Sequence, residues 1–239
     1  MTGTIINVAG ILIGGTAGLI RKEPLPLAVE SWAKIALGVL TVFYGLRLTI
    51  QSLSGSFGHI VKQLLIVLLA LFIGRWIAQL LRLQKFSNRL GQNAKEAITA
   101  ASSGPRDISE GFKTCGALFC AAPLGIAGAA VDGLSNYYYP LAIKGIIDGL
   151  GMMGLVRIFG SGAMLSAWPV LAFQGSITLA CAYFAGPYLR AHDVVWAVNA
   201  VAGMLIFTVA LVILQIKRIE MADYLPSMVV APVIGMIWR

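Results

Sequence analysis

Two ionisable residues lie four positions apart in a segment that is otherwise apolar. The segment reads YPLAIKGIIDGLGMMGLVRIFG, and the two residues are Lys144 and Asp148. Residues at this spacing are neighbours on one helix face, and an unpaired charge at membrane depth costs roughly 2.5–3.5 kcal/mol. The spacing predicts either a structural ion pair or a binding site. In a binding site, Asp148 holds a cation or proton, and Lys144 supplies the counter-charge or anchors an anion.

Further polar side chains interrupt the next hydrophobic run. Pro169 followed by Gln174-Gly175-Ser176 is typical of a helix unwound near the middle of a membrane, where side chains satisfy the freed backbone. Such stretches form binding sites in transporters, whereas the alternative is a kinked helix with a purely structural role. The residues of this run predicted to bind a solute or ion are Ser166, Gln174, Ser176 and Thr178.

Small residues recur every four positions in the first and fourth hydrophobic segments. In the first they are Gly10, Gly14 and Gly18, and Asn7 continues the same face. In the fourth they are Ala121, Gly125, Ala129 and Gly133. This spacing lets helix backbones approach closely. The alternative to plain helix packing is a pathway in which Asn7 contacts the solute and Pro123 frees a backbone carbonyl one turn earlier.

The composition decides the class of protein that must position these residues. The chain has 239 residues, of which 58% are hydrophobic and 12% are charged, and its mean hydropathy is +0.84. Soluble proteins carry about 25% charged residues, so an all-α polytopic membrane protein is predicted. The net charge of +8 is attributed to Lys and Arg residues in cytoplasmic loops, so it does not predict a nucleic-acid partner. No nucleophile with a base, metal-ligand spacing or cofactor motif occurs, so neither an enzyme nor a metal or cofactor site is predicted.

Hydrophobic runs predict seven to eight transmembrane helices, the last being short enough to be re-entrant or interfacial. Their ranges are 4–20, 31–53, 59–82, 113–132, 139–158, 162–187, 193–216 and 225–238. Because Lys and Arg gather in cytoplasmic loops, Arg21-Lys22, Lys217-Arg218 and the basic stretch 83–112 predict an extracytoplasmic N-terminus. The stretch 83–112 is either a basic amphipathic helix at the headgroup level or a solvated connector.

An internal match at a fixed offset predicts two related halves. The matched positions are Gly15-Thr16-Ala17-Gly18 with Gly125-Ile126-Ala127-Gly128, Lys34 with Lys144, and Arg47 with Arg157. The identity is thin, so chance is the alternative. An odd number of spans separates the copies, and they therefore run in opposite senses, as in the inverted repeats of transporters. The predicted units are a first three-helix repeat 1–82, a cytoplasmic amphipathic linker 83–112, a second inverted repeat 113–187 and C-terminal helices 188–239.

Several stretches resemble one known family. LFCAAPLGIAGAAVDGL, LAIKGIIDGL, SAWPVLAFQGSITL and the opening GTIINVAGILIGGTAGL are similar to the DUF554 family of prokaryotic inner-membrane proteins of the YdfK/YqgA type. The resemblance covers nearly the whole chain. It implies a multi-pass protein of the inner membrane, and it brings no established activity or substrate.

These observations favour membrane transport of a small solute or ion at the interface of the two repeats. The predicted site combines Asn7, Lys144 and Asp148 with the polar residues of the sixth segment. The helix-packing or pathway positions are Gly14, Gly18, Gly125, Gly128, Pro123 and Pro169. The predicted partners are the lipid bilayer, the solute and a second copy of the chain in a homodimer. The alternative is a non-transporting scaffold or sensor that acts through the basic linker.

Overall fold

The computed structural model describes residues 1–21, 23–103, 108–217 and 219–238, and these residues form helices and no strand. Lys22 and Arg218, which contributed to the predicted topology, lie outside the described residues. The α-helices of the described chain are α1 (Thr2–Ile20), α2 (Leu27–Ser52), α3 (Phe57–Leu80), α4 (Leu83–Ser103), α5 (Ile108–Cys120), α6 (Pro123–Ser135), α7 (Tyr139–Phe159), α8 (Ala167–Ala180), α9 (Gly186–Ala191), α10 (Val195–Ile213) and α11 (Ser227–Ile237).

Five of the described helical stretches are long and apolar enough to cross a membrane. They are α1, α2, α3, the continuous stretch Ser161–Ala191 that contains α8 and α9, and α10. A sixth span results if the bent pair α5 and α6 is taken as one. The described chain therefore supports a helical membrane protein with five to six spans by length and composition, fewer than the seven to eight predicted. The predicted fifth span is α7, which carries the buried charges, and the eighth is the short apolar α11.

Three pairs of packed helices form much of the bundle. α1 lies parallel to α7, with Gly10 against Gly145 and Gly14 against Gly149. α2 packs on α10, and α3 packs antiparallel to α11, where Gly74 meets Ser227. The helix α2 belongs to the first predicted repeat, and it packs on α10, which lies outside both repeats, rather than on α5 or α6 of the second repeat. The two predicted repeat halves therefore make unequal contacts.

The interrupted span is the fourth and not the sixth. α8 is a continuous helix through Gln174, and Pro169 occupies its first turn, where proline is tolerated because the missing N–H has no helical partner there. The prediction of a helix unwound between Pro169 and Ser176 is therefore wrong. The break lies instead at Ala121 and Ala122, where α5 and α6 meet at 61° and Pro123 is the first residue of α6.

Residues 83–103 of the predicted linker form one helix, α4, and the linker's last residues, 108–112, belong to α5. The strongly amphipathic sequence of α4 places Ala94 in the interior, and Ala97, Ile98 and Ala101 pack against a core cluster formed by α5, α7 and the start of α8. Lys95 lies on the exposed face. The described part of the predicted linker, residues 83–103, is therefore a helix docked on the bundle by its apolar face.

Candidate functional site

Lys144 and Asp148 form a buried ion pair on α7. The Lys144 ammonium donates to the Asp148 carboxylate. The two residues are only 2% and 5% exposed, respectively. The ammonium also lies 5.7 Å from the centre of the Phe119 ring, a cation–π geometry. Each charge is thus removed from solvent, and each depends on the other for neutralisation.

Two polar contacts join α1 to α8 next to this pair. The Asn7 amide donates to Gln174 Oε1 at 2.9 Å, and the hydroxyls of Thr4 and Thr178 lie 3.3 Å apart. The Thr178 hydroxyl also donates to the carbonyl of Ala129 on α6 at 3.2 Å. Thr4 and Asn7 share a face of α1, as Gln174 and Thr178 share a face of α8, so a polar seam runs between the two helices.

Close backbone contacts bring the seam and the ion pair to one place. A Cβ at Gly145, between Lys144 and Asp148 on α7, would lie 3.0 Å from Asn7 Cα. A Cβ at Gly125 on α6 would lie 2.9 Å from both Gln174 Nε2 and Lys144 Cε. Four helices, α1, α6, α7 and α8, therefore meet at Asn7, Lys144, Asp148 and Gln174, which we call the central polar site.

Two amide atoms of the central polar site lack a hydrogen-bond partner in the described part of the chain. They are Asn7 Oδ1, an acceptor, and Gln174 Nε2, a donor, and both residues are 0% exposed. Buried polar atoms are nearly always paired, and an orphan costs about 1–3 kcal/mol. The site therefore has hydrogen-bonding capacity that its own side chains do not use.

The break between α5 and α6 borders the central polar site. Phe119 and Cys120 end α5, and the centre of the Phe119 ring lies 5.7 Å from the Lys144 ammonium. On the other side of the break, Gly125 lies against Lys144 and Gln174. Residues before and after the break in this span thus contact the same buried ion pair.

Comparisons with known proteins fix the family. The family model described as a protein of unknown function (DUF554) matches residues 2–236. The chain belongs to the DUF554 family. Relatives include the uncharacterized membrane protein YdfK of Bacillus subtilis (strain 168), which is 29% identical over 98% of this chain and 95% of its own length. The uncharacterized protein YqgA of Escherichia coli (strain K12) is 24% identical over 99% of this chain and 97% of its own. No solved structure matches the chain.

The structure brings together most, but not all, of the residues that the sequence analysis assigned to the site of this DUF554 protein. Asn7, Lys144, Asp148 and Gln174 form the central polar site, and Thr178 lies one turn from it. Ser166 is fully buried with an unpartnered hydroxyl, two turns before Gln174. Ser176 is exposed on the opposite face of α8, where its hydroxyl donates to the carbonyl of Phe173, so it does not join the site.

The predicted small residues act mainly in packing. A Cβ at Gly14 would overlap the carbonyl oxygen of Gly149, one at Gly18 would lie 2.5 Å from the carbonyl oxygen of Met153, and one at Gly128 would lie 3.0 Å from the Leu141 side chain. Pro169 packs near Gly116 of α5. Of the predicted packing or pathway positions, Gly125 and Pro123 are the two that adjoin the central polar site or its break.

The buried polar residues that the sequence analysis missed include Asp132 and Thr4. Asp132 on α6 is 1% exposed and accepts the backbone N–H of Gly3 at 3.1 Å, and Thr4 completes the polar seam. An acidic residue inside an apolar run is the same signal that identified Asp148, and it was available for Asp132. Asn199 on α10 also makes an interhelical hydrogen bond, since its amide donates to the Ser135 hydroxyl at 2.7 Å.

The charges paired by the internal sequence match occupy different environments. Lys34 is half-exposed and pairs with Glu30 at 2.8 Å, whereas its counterpart Lys144 is buried against Asp148. Arg157 donates to the backbone carbonyl of Arg21 at 3.2 Å and also to that of Glu23, near the C-terminal end of α1. Only Lys144 of this set belongs to the central polar site.

Proposed function

We propose that this protein transports a small solute or ion across the membrane through the central polar site. One observation carries the proposal: an interrupted span borders a buried ion pair. In transporters, discontinuous helices supply backbone groups to ligands near the middle of the bilayer. Here Pro123 lacks an N–H group, so the carbonyl of Phe119 has no helical partner four residues on.

The ion pair gives the site a means of responding to a ligand. A proton or cation that neutralises Asp148 removes the partner of Lys144, and a buried ammonium without a counter-charge is unstable. An anion bound to Lys144 has the same effect on Asp148. Either event favours a rearrangement that rehydrates the released charge, which is the type of coupling that alternating access requires.

The tight enclosure of the site limits what it can bind. Asn7, Lys144 and Gln174 are at most 2% exposed, so the conformation is occluded and its ligand is a proton, an ion or a small polar solute. The unpartnered Asn7 Oδ1 and Gln174 Nε2 offer one acceptor and one donor to such a ligand. No catalytic group is assigned to the site, since we propose a transporter and not an enzyme.

A ligand screen tests this function. Purified protein in detergent is screened by thermal shift against monovalent ions, carboxylates and amino acids, and each hit is then measured as flux into proteoliposomes. We expect Asp148→Asn to abolish both the thermal shift and the flux. Asp193→Asn, which removes an exposed acid far from the site, should retain both. Flux that persists unchanged in Asp148→Asn contradicts the proposal.

The distribution of charge supports an extracytoplasmic N-terminus in a prokaryotic inner membrane. At the end of the bundle where α1 and α3 finish lie Arg21, Lys34, Arg75, Arg82, Lys85, Arg89, Lys95, Lys113, Arg157 and Lys217. At the opposite end, the described cations are Arg47, Lys62 and Arg190. By the positive-inside rule, the cation-rich end, where α1 and α3 finish, is cytoplasmic.

The inverted repeat and the homodimer complete the proposed architecture. The repeat relates the predicted units 1–82 and 113–187, and its test is the superposition of the two units about an axis in the membrane plane in an experimental structure. The homodimer is tested by the mass of the protein in detergent. A failed superposition removes the repeat but leaves the ligand screen as the test of transport.

A scaffold or sensor is the second candidate function. The observation that favours it is the docked helix α4, whose exposed face carries Lys85, Arg89 and Lys95. A scaffold should bind no solute in the screen, and its cellular phenotype should depend on α4 rather than on Asp148.

A further inference from the structure

Arg75 is a charged residue in the apolar helix α3 that the proposed transport does not use. It lies five residues before the end of the helix, between the exposed side chains of Ile73 and Trp76. Within the described part of the chain, no carboxylate comes within 4 Å of the Arg75 guanidinium. The guanidinium carbon lies 5.7 Å from the centre of the Tyr224 ring. A membrane-embedded cation without a counter-charge is costly, so this arginine favours an anionic ligand.

The Arg75 side chain lines a half-open cleft between α3, α10 and the segment that follows α10. The cleft has a volume of about 690 Å³. Among the described residues, its charged lining side chains are Arg75, Lys217 and Glu220, and its apolar wall includes Leu71 and Phe207. These three described side chains carry a net charge of +1, which favours an anionic ligand over a neutral or zwitterionic one.

From the end of the bundle inwards, the lining residues of the cleft change from charged to apolar, as the groups of a phospholipid do. With a rise of about 1.5 Å per residue, Arg75 lies roughly 7 Å inside the end of α3, within reach of the headgroups for a long side chain. Lys217 follows the end of α10 at the same end of the bundle. Leu71 lies one turn further into the membrane than Arg75, so cations border the headgroup level and apolar residues border the acyl level.

We infer that this cleft binds an anionic phospholipid of the leaflet at the cation-rich end of the molecule. The phosphate lies between Arg75 and Lys217, and one acyl chain lies against Leu71 and Phe207. Basic pockets between membrane helices on the cytoplasmic side recognise lipid headgroups in this manner. The inference is separate from transport, because the cleft and the central polar site share no residue.

Lipid retention in detergent tests the inference. The purified protein is titrated with phosphatidylglycerol or phosphatidylcholine, and bound lipid is counted by native mass spectrometry, with thermal stability measured in parallel. We expect phosphatidylglycerol to bind more tightly than phosphatidylcholine. Arg75→Gln and Lys217→Gln should each weaken phosphatidylglycerol binding roughly tenfold, the loss expected for one charge-assisted hydrogen bond. Both residues are exposed, so we expect the variants to fold.

Matched controls separate this site from other sources of binding. Lys95→Gln removes the same charge from the exposed face of α4 and should leave lipid binding unchanged; an equal loss there would show nonspecific attraction and overturn the inference. Equal binding of phosphatidylethanolamine would also overturn it, because the charge would then not be recognised. Inorganic phosphate that stabilises the protein as well as phosphatidylglycerol does would indicate a soluble anion instead. Asp148→Asn should bind lipid normally, whatever the outcome for transport.

Discussion

At the scale of single residues, Lys144 and Asp148 are stable only as a pair. Removing one partner of a buried ion pair leaves an uncompensated charge and costs about 3–5 kcal/mol, whereas apolar residues of similar volume can replace the pair without loss. We therefore expect Lys144→Met or Asp148→Leu alone to lower the free energy of unfolding by that amount. The double variant should recover most of it, as measured by denaturant unfolding in detergent.

The double variant also separates structure from function. If it folds and no longer transports, the pair serves the ligand. If it folds and transports normally, the pair has only a structural role. A double variant as unstable as the single ones would contradict the pairing itself.

Tyr137 provides a pH-dependent prediction outside the helices. Its hydroxyl donates to the carbonyl of Tyr44 at 2.7 Å, and burial raises its pKa to about 12, although nearby Arg47 lowers it in part. Because the folded state favours the neutral phenol, its stabilising contribution is complete below the ordinary pKa near 10 and is lost as the pH rises through 12. Ultraviolet difference titration of the wild type against Tyr137→Phe should give a midpoint near 12; a midpoint near 10 in the folded protein would be the contrary result.

At the scale of elements, the contact between α1 and α7 depends on glycine. A Cβ at Gly14 would overlap the backbone of α7, whereas one at Gly154, on α7 itself, would have no atom within 4 Å. We expect Gly14→Ala to destabilise the protein by about 1–3 kcal/mol through overpacking. Gly154→Ala should be neutral or stabilising by up to about 1 kcal/mol. Thermal unfolding of the two variants measures the difference, and equal effects would mean that α1 and α7 are not in close contact.

The sequence predicted the positions of the helices better than their irregularities. Runs of apolar residues gave each hydrophobic helix to within a few residues, because length and hydropathy are local properties. The interruption was assigned to Pro169 but lies before Pro123. A proline permits both a helix start and a kink, and which one occurs depends on the neighbouring helices. At Pro123 the change of direction lets Gly125 reach Lys144, a contact that no local pattern reveals.

At the scale of the whole molecule, the antiparallel packing of α11 on α3 determines at which end of the bundle α11 finishes. Trp238 lies in the same cleft as His59 and Asp193, at the end of the bundle where α3 begins. The proposed orientation places the end of the bundle where α1 and α3 finish in the cytoplasm, so we expect alkaline phosphatase fused after Arg239 to be active in cells and the enzyme fused after Gly91 to be inactive. Green fluorescent protein at the same positions should give the reverse pattern. Activity of both phosphatase fusions would contradict the orientation.

The four residues of the central polar site were all among the predicted site residues, but the prediction also included residues that lie elsewhere, for a reason that holds for the whole bundle. Buried polar residues stand out in an apolar sequence, and so Asn7, Lys144, Asp148 and Gln174 were all identified. Which of them meet depends on helix packing between distant parts of the chain. Ser176 shares the polarity of Gln174 and lies two residues away, yet it is on the outer face of the same helix. The sequence alone therefore identifies candidate polar residues, but it does not tell which of them meet in the folded protein.

The contact between Asn7 and Gln174 joins residues separated by 167 positions. At a synthesis rate of about 5–20 residues per second, α1 waits on the order of 10 seconds in the membrane before α8 emerges. During that interval its polar face has no native partner. The first helix therefore completes its contacts to α8 only when the chain is nearly complete, and a chain truncated before α8 leaves the side chains of Thr4 and Asn7 without these partners in the membrane.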